Sequence, residues 1–146
     1  MTERFRTVAF IGVGTMAEAM ADCALAAGWP RDRLLMTHRR AERRQELEKR
    51  FDCKVDDDNV AAARRADIVV LAVRPQEFDE VLKTLRDGLR PGQMFISIAA
   101  GLTVEWLERR VPPGITIVRV TPPPTAWIGA GVTLVSTAAQ DRKSVV

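Results

Sequence analysis

The residues of this chain that most clearly indicate chemistry are glycines close to the N-terminus. The segment Phe10–Met20 reads FIGVGTMAEAM, so an apolar run leads directly into the pattern G-x-G-x-x-A and an amphipathic segment follows it. In this pattern Gly12 allows a tight turn, Gly14 lets the backbone approach a phosphate, and Ala17 lets the helix pack closely on the strand. Free N–H groups at the start of a helix attract anions. The pattern therefore predicts a turn that binds the pyrophosphate of a dinucleotide.

The residues after the second predicted strand indicate which dinucleotide this is. A site for NAD has an Asp or Glu there, about twenty residues past the glycines, which accepts hydrogen bonds from the ribose 2′-hydroxyl. This chain has Thr37-His38-Arg39-Arg40 instead, with no acid before Glu42. A carboxylate would repel a 2′-phosphate, whereas hydroxyl and guanidinium groups bind one with charge-assisted hydrogen bonds of about 1.5–3 kcal/mol each. Two such bonds favour NADP(H) over NAD(H) by about a hundredfold.

Two interpretations of this basic segment stay open. Its charges either recognise the 2′-phosphate of NADP(H) or only solvate a turn. His38 either stacks on or near the adenine or has no role in binding. The next four basic residues are predicted to form a solvated helix face: Arg43, Arg44, Lys49 and Arg50. On this face Glu46 is expected to lie near Arg50 at i,i+4.

Strand-like and helix-like segments alternate along the chain, which predicts an α/β fold: a Rossmann-like, doubly wound and mostly parallel sheet in three layers, α/β/α. The predicted strands are Thr7–Ile11, Arg33–Thr37, Lys54–Val55, Ile68–Val73, Met94–Ile98, Ile115–Val120 and Val132–Val135, the last a candidate for antiparallel pairing. The predicted helices are Met16–Ala27, Ala41–Phe51, Val60–Arg65, a helix that begins at Pro75, and Thr103–Arg110. A loop is predicted at Thr121–Thr125, and residues Ala138–Val146 are predicted to open another helix.

Helical spacing of apolar residues predicts which helix faces are buried. In the first helix the predicted stripe is Met16, Ala19, Met20, Cys23, Ala24 and Ala27. In the helix after Pro75 it is Phe78, Val81, Leu82, Leu85 and Leu89. Residues Ile68–Val73 read IVVLAV without alternation, which predicts a central strand buried on both faces. Asp57 or Asp58 is expected to cap the short third helix, and Thr103 the last one.

Composition limits the class of protein. The chain has 146 residues, of which 47% are hydrophobic, so it is expected to form one globular domain over residues 1–146. No apolar run approaches the roughly 18 residues of a membrane span, and the N-terminus lacks the apolar core of a signal peptide. Two cysteines, Cys23 and Cys53, and the single His38 fit no metal site, so we expect reduced thiols and a cytoplasmic protein. The net charge of +3 suits a phosphorylated small molecule better than nucleic acid.

Several segments taken together resemble the pyrroline-5-carboxylate reductases, the last enzymes of proline synthesis. Besides the glycine motif, these are THRR, DDDN ending at Asn59, ADIVVLAVRPQ, ISIAAGLTVEWLE, IVRV and GAGVT. The resemblance covers most of the chain in order, and LAVRPQ and ISIAAG at this spacing are fairly specific. It implies NADPH as cofactor, an imine as small-molecule substrate, and hydride transfer to the C=N carbon of 1-pyrroline-5-carboxylate to give L-proline.

The resemblance also implies roles for individual residues. The backbone of Val13, Thr15 and Met16 would hold the pyrophosphate, Thr37 and its basic neighbours the 2′-phosphate, and Asn59 the adenosine side. The phosphate and ribose would lie along the segment after the fourth strand, and Ala99 and Ala100 would lie near the nicotinamide. The predicted cofactor-binding residues are Gly12, Val13, Gly14, Thr15, Met16, Thr37, His38, Arg39, Arg40, Asn59, Ala72, Val73, Arg74, Pro75, Ala99 and Ala100. No side chain stands out as catalytic and no metal site is expected.

Two departures from the family pattern keep other functions open. Relatives carry Met-Pro-Asn-Thr-Pro after the sixth strand, whereas Thr121-Pro122-Pro123-Pro124-Thr125 stands here, and proline donates no hydrogen bond. The family's helical domain, which builds the dimer and much of the substrate pocket, is not in this sequence, so we expect a truncated chain and a homo-oligomer only where that domain is present. The alternatives are a nucleotide-binding relative without turnover and another NADP-linked reductase, such as a deazaflavin-dependent one.

Overall fold

The computed structural model describes residues 5–121 and 134–137, and seven strands in these ranges form a single sheet. The strands are β1 (Val8–Ile11), β2 (Leu34–Thr37), β3 (Val55–Asp56), β4 (Ile68–Leu71), β5 (Met94–Ser97), β6 (Thr116–Thr121) and β7 (Leu134–Thr137). Their order in the sheet is β3-β2-β1-β4-β5-β6-β7. Neighbours from β3 to β6 are parallel, and β7 pairs antiparallel to β6. This is the order of a doubly wound dinucleotide-binding sheet with one antiparallel edge strand.

Helices cover both faces of the sheet. They are α1 (Thr15–Ala26), α2 (Ala41–Phe51), α3 (Asn59–Arg65), α4 (Phe78–Leu85) and α5 (Val104–Glu108). One buried cluster joins one face of the sheet to α1 and α2 through Ala17, Leu47 and Phe51. A second cluster joins the opposite face to α3, α4 and α5, with Phe78 and Leu107 among its fully buried members. The three-layer α/β/α arrangement predicted from the alternation of segments is confirmed.

The central strands have apolar side chains on both faces because both faces are covered. All four residues of β1 are buried, as are three of the four in β4. Along β1, Ala9 and Ile11 belong to the cluster under α3, α4 and α5, whereas Val8 and Phe10 belong to the cluster under α1 and α2. An apolar run without alternation therefore did mark a central strand, as expected for parallel sheets.

The predicted apolar stripe of α1 is only partly correct, because Ala19 is buried and Met20 packs against the core but the rest of the stripe is not buried. The residues of this helix that are buried are Ala17, Ala19 and Ala21, whereas Cys23 and Ala27 are exposed. Ala17 and Ala21 stand four residues apart and both belong to the core cluster, so α1 rests on the sheet through small side chains. The larger side chains Met16 and Met20 are only half-buried at the flank. Close packing of helix on strand therefore selected the smallest residues rather than the most apolar ones.

The predictions for the α4 stripe and for two helix caps are confirmed. In α4 and the turn after it, four of the five predicted stripe residues are buried and Val81 packs against them. Asp58 caps α3 by accepting a 3.0 Å hydrogen bond from the N–H of Ala61, and Thr103 caps α5 by accepting one of 3.1 Å from Trp106. Residues 122–125 of the predicted proline loop and the predicted helix at Ala138–Val146 lie outside the described residues.

A buried glutamine joins α3 to the start of β5. Gln93 is 2% exposed, and its Nε2 donates to the carbonyl oxygens of Ala63 at 2.7 Å and Ala66 at 2.8 Å. Its Oε1 accepts from the N–H of Arg90 at 2.7 Å. The side chain thus adds a second donor to two carbonyl oxygens at the C-terminal end of α3 and supplies the acceptor for the Arg90 N–H.

Replacement of this glutamine is expected to destabilise the fold. Gln93→Leu keeps the volume but removes the acceptor of the Arg90 N–H and one of two donors to each carbonyl oxygen, so the free energy of unfolding should fall by about 1–3 kcal/mol. Urea denaturation followed by circular dichroism measures it. The matched control is Gln45→Leu on the exposed face of α2, which should change the free energy by less than about 0.5 kcal/mol. Equal effects of the two variants would contradict this role of Gln93.

Candidate cofactor-binding site

The sheet topology places four of the predicted binding segments around one crevice. The segments after β1, β2, β4 and β5 all leave from the carboxyl edge of the sheet, and β1 lies between β2 and β4. Chains leaving β1 and β2 turn to the face that carries α1 and α2, whereas chains leaving β4 and β5 turn to the opposite face. The divergence opens a crevice above β1 and β4, which is where ligands bind in sheets of this kind.

The glycine turn after β1 is held by close contacts on both sides. Gly12 has φ of +74°, and a Cβ built on it would lie 2.3 Å from Cγ1 of Val73. On the other side the N–H of Gly12 donates to Oγ1 of Thr37 at 3.2 Å, and the N–H of Val13 donates to the Thr37 carbonyl oxygen at 3.1 Å. A residue larger than glycine at position 12 would collide with the Val73 side chain, which would have to move.

The helix that follows the turn starts without a side-chain cap. Gly14 is its N-cap residue, no side chain among the described residues caps it, and a Cβ built on Gly14 would meet nothing within 4 Å. Thr15 is exposed, while Ala17 one half-turn later is 1% exposed against the sheet. The N–H groups of the first turn therefore face open space at the positive end of the helix dipole, which is the geometry that receives a phosphate.

Thr37 lies beneath the turn. It is 0% exposed, and both its hydroxyl and its carbonyl oxygen accept hydrogen bonds from the glycine segment. This supporting function was not foreseen from the sequence, where the position was interpreted only through its distance from the glycines. A direct contact of Thr37 with a 2′-phosphate stays a prediction.

The basic segment after β2 is ordered by its own backbone and by α2. The N–H of His38 donates to the carbonyl oxygen of Asp56 at 3.0 Å, and Nδ1 of His38 accepts from the N–H of Arg40 at 3.0 Å. Nη1 of Arg44 donates to the carbonyl oxygens of His38 at 2.9 Å and Arg39 at 3.0 Å. The Arg39 side chain is 76% exposed, so its guanidinium projects from a loop whose backbone is fixed.

Burial and neighbouring positive charges disfavour the charged form of the His38 imidazole. Partial burial lowers its pKa below the ordinary value, and the positive charges of Arg43, Arg40, Arg39 and Arg44 lower it further. A neutral ring with Nδ1 accepting a hydrogen bond carries its proton on Nε2. The segment therefore presents an imidazole N–H donor next to guanidinium groups, and all of these groups can donate to an anion.

The predicted solvated face of α2 is only partly correct. Arg43 is not solvated: it pairs with Glu18 of α1 at 2.5 Å and with Glu46 at 3.0 Å, and Arg44 holds the loop described above. Arg50 pairs with Glu18 and with Asp22, not with Glu46 as predicted. Glu18 and Asp22 stand one turn apart on α1, a spacing that signals a charged face directed at a neighbour. Among the four predicted cations, Arg44 and Lys49 have no ion pair within the described residues, and Lys49 is exposed.

The segment after β4 forms the opposite wall of the crevice. The N–H of Ala72 donates to the Ile11 carbonyl oxygen at 2.9 Å, which extends the β1–β4 pairing up to the glycine turn. Arg74 is 74% exposed, and Pro75 begins a short 3₁₀ turn that ends at Glu77. An oxygen of the Glu77 carboxylate lies 3.5 Å from Nη1 of Arg39, so an ion pair connects this wall to the segment after β2.

The remaining predicted residues lie at the two ends of the same edge. Asn59 is half-buried as the first residue of α3, next to the loop after β3. Ala99 is 7% exposed and Ala100 is exposed, directly after β5. The structure thus distributes the predicted set along the carboxyl ends of β3, β2, β1, β4 and β5, in the order in which an extended dinucleotide would lie.

Within the described residues, no group of three or more His, Cys, Asp or Glu side chains is arranged to hold a metal ion. The same part of the chain has no helix long and apolar enough to cross a membrane. Cys23 and Cys53 are both free thiols, and burial raises the pKa of Cys53.

Comparison with known proteins agrees with this geometry. Residues 7–101 match the model of a family described as "NADP oxidoreductase coenzyme F420-dependent". A pyrroline-5-carboxylate reductase of Vibrio alginolyticus is 35% identical over 127 residues, which cover 87% of this chain and 47% of that protein. The chain therefore spans about half the length of the curated relatives it matches.

Solved structures give the same result. A pyrroline-5-carboxylate reductase from Coxiella burnetii superimposes with a TM-score of 0.87 at 29% identity, over 94% of this chain and 52% of that one. The Plasmodium falciparum pyrroline carboxylate reductase, solved with NADP bound, has a TM-score of 0.78 at 25% identity, over 94% and 50% of the two chains. The resemblance seen in the sequence is thereby confirmed, and the chain belongs to the NADP oxidoreductase family whose model it matches.

Proposed function

We propose that this chain is the cofactor-binding domain of an NADPH-dependent reductase that converts 1-pyrroline-5-carboxylate to L-proline. The observation that carries the proposal is one juxtaposition at the carboxyl edge of the sheet. The uncapped start of α1 at Gly14 lies beside a loop that offers Arg39 and Arg40 where an NAD site has an acid. The named relatives supply the reaction: they are pyrroline-5-carboxylate reductases similar over most of this chain.

The geometry of the glycine turn fits a pyrophosphate. Space above Gly14 and the first-turn N–H groups of Thr15 and Met16 would hold its oxygens. The N–H of Val13 already donates to the Thr37 carbonyl oxygen, so Val13 would contribute by fixing the turn rather than by donating to the phosphate. Gly12 keeps the turn close to Val73 and thereby low enough for the phosphates to reach the helix.

The adenosine end would be recognised by charge. Arg39 and Arg40 are exposed and would bind the 2′-phosphate, with the neutral imidazole of His38 as a further donor. Thr37 would support this site from below, since its hydroxyl is fully buried. Asn59, on the adjacent loop after β3, would contact the adenosine side of the cofactor.

The ribose and phosphates in the middle of the cofactor, and its nicotinamide ring, would lie along the segments after β4 and β5. Ala72, Val73, Arg74 and Pro75 form the wall beside the ribose and phosphates, and the small side chains of Ala99 and Ala100 leave room for a flat ring. When bound, the reduced nicotinamide supplies the hydride that reduces the C=N bond. The chain's own contribution is to position that ring, because the described residues around it offer backbone and methyl groups rather than an acid or base.

The proposal also includes how the imine substrate would be bound. The imine would be held between this domain and further residues of the whole reductase, with a homo-oligomer where a helical domain is present. The free cysteines and the choice of a small-molecule substrate support a cytoplasmic enzyme. The description of the matched family favours a second candidate, hydride exchange between NADP(H) and a deazaflavin.

The first test measures binding and turnover separately. NADPH should bind, as followed by its fluorescence, and should be oxidised when 1-pyrroline-5-carboxylate is added. Gly14→Val should weaken NADPH binding at least tenfold because its side chain enters the phosphate space, while the unfolding midpoint changes little because nothing lies within 4 Å of the new Cβ. Binding without oxidation would favour a relative without turnover, and oxidation with coenzyme F420 in place of the imine would favour the second candidate. No binding at all would overturn the proposal.

The second prediction concerns the choice of cofactor. Arg39→Gln and Arg40→Gln should each weaken NADPH binding about tenfold or more, because each removes a charge-assisted hydrogen bond to the 2′-phosphate, and should change NADH binding by less than twofold. Isothermal titration calorimetry with both cofactors measures this. Lys49→Gln removes an equally exposed cation from the same region and should leave both affinities unchanged. Parallel losses for NADPH and NADH would contradict 2′-phosphate recognition.

The third prediction uses the single histidine of the chain as a reporter. The ring protons of His38 in ¹H NMR should titrate below the ordinary pKa of about 6.5, because burial and the nearby arginines disfavour the charged ring. Below that pH the unfolded chain binds the proton more readily, so the folded chain should lose stability as the pH falls. NADP⁺ should raise this pKa through its dianionic 2′-phosphate and NAD⁺ should not. An unshifted histidine in the free chain, or equal responses to both cofactors, would argue against this arrangement.

A further inference from the structure

An ion pair connects the segment after β2 with the segment after β4. Arg39 stands on the segment after β2 and Glu77 at the end of the turn after β4, and β1 with its glycine turn lies between those two strands. Strands separated by one neighbour lie roughly 10 Å apart, so only long side chains reach across. Nη1 of Arg39 and Oε1 of Glu77 are nevertheless 3.5 Å apart. The pair therefore joins the two walls between which the adenosine half of the cofactor would bind.

The carboxylate of Glu77 is better fixed than its partner. Its side chain is 33% exposed, against 76% for Arg39, and Oε2 accepts a 3.3 Å hydrogen bond from the N–H of Arg74. Nε of Arg74 also lies 4.0 Å from the same oxygen. An anion with a restrained position thus lies between guanidinium groups from both walls of the crevice.

We propose that Glu77 is a specificity-determining residue, whose carboxylate competes with the 2′-phosphate of NADPH for Arg39. The inference rests on the proposed function, since it requires that Arg39 binds this phosphate. A phosphate carries a charge of about −1.5 to −2 at neutral pH and three acceptor oxygens, so it displaces a single carboxylate from the guanidinium. The uncharged 2′-hydroxyl of NADH does not displace it. Glu77 therefore lowers the affinity for NADPH alone and moderates the preference between the two cofactors.

The size of the expected change in NADPH affinity follows from the solvent exposure of the Arg39–Glu77 pair. Exposed ion pairs are weak, so removal of the competing charge should strengthen NADPH binding only about two- to fivefold. Salt screens such pairs over about 10 Å at 0.1 M, so the gain should shrink as salt is added.

The decisive experiment is a double-mutant cycle on the full chain, read by calorimetry with NADPH and NADH at low salt. Glu77→Gln keeps an oxygen that accepts from the Arg74 N–H and removes only the charge. It should bind NADPH two- to fivefold more tightly and NADH within twofold of the parent chain, and the gain should vanish in the Arg39→Gln background. Glu80→Gln, the same charge change at an exposed position on α4, should alter neither affinity.

Each other outcome overturns the inference. An unchanged NADPH affinity in Glu77→Gln means that the carboxylate does not compete. Equal gains for NADPH and NADH mean that the pair obstructs the crevice instead, and a gain that persists in the Arg39→Gln background means direct repulsion of the phosphate. If the parent chain binds NADPH in an Arg39-dependent way while Glu77→Gln has no effect, this inference alone fails. If the parent chain binds neither cofactor, the proposed function fails as well.

Discussion

Close approach at Gly12 is the constraint on which the rest of this site depends. The absence of a side chain there lets Val73 of the segment after β4 pack against the turn, while Thr37 accepts hydrogen bonds from it on the side of β2. Three neighbouring strand ends are thereby fixed relative to one another, and the start of α1 is placed at the bottom of the crevice between them. A larger residue at position 12 would collide with the Val73 side chain and strain the turn, because φ of +74° is unfavourable for an L side chain.

The carboxylates of α1 are paired with arginines, so they contribute little negative potential in the crevice. Glu18, in the first turn of α1, is engaged by Arg43 and Arg50 and so adds little negative potential where a phosphate would bind. Arg44 donates to the backbone carbonyl oxygens of His38 and Arg39, which fixes the loop. The Arg39 side chain remains exposed and can bind a phosphate. Glu77 is the exception, because it remains within reach of Arg39 at the mouth. A preorganised cationic loop of this kind favours binding of a dianion over a neutral hydroxyl.

Features that depend on neighbouring residues in the chain were predicted correctly from the sequence, whereas several features that depend on tertiary contacts were not. The strands, the caps at Asp58 and Thr103 and the α4 stripe depend on neighbours in the chain, and they were correct within a few residues. The α1 stripe was only partly correct because helix–sheet proximity, a tertiary requirement, buried Ala21 in place of Cys23 and Ala27. Glu46 was paired wrongly because Glu18 and Asp22 of another helix competed for Arg50. The tertiary function of Thr37 left no signal that spacing alone could reveal.

The proposed function assigns cofactor choice and substrate fit to different strand ends. The ends of β1, β2 and β4 present charges and oriented N–H groups, which are the groups that would distinguish NADP(H) from NAD(H). The end of β5 presents Ala99, Ala100 and Gly101, whose methyl groups and backbone distinguish shape but not charge. Under the proposed function, cofactor choice therefore depends on charged residues after β2 and β4, whereas the residues directly after β5 contribute shape alone.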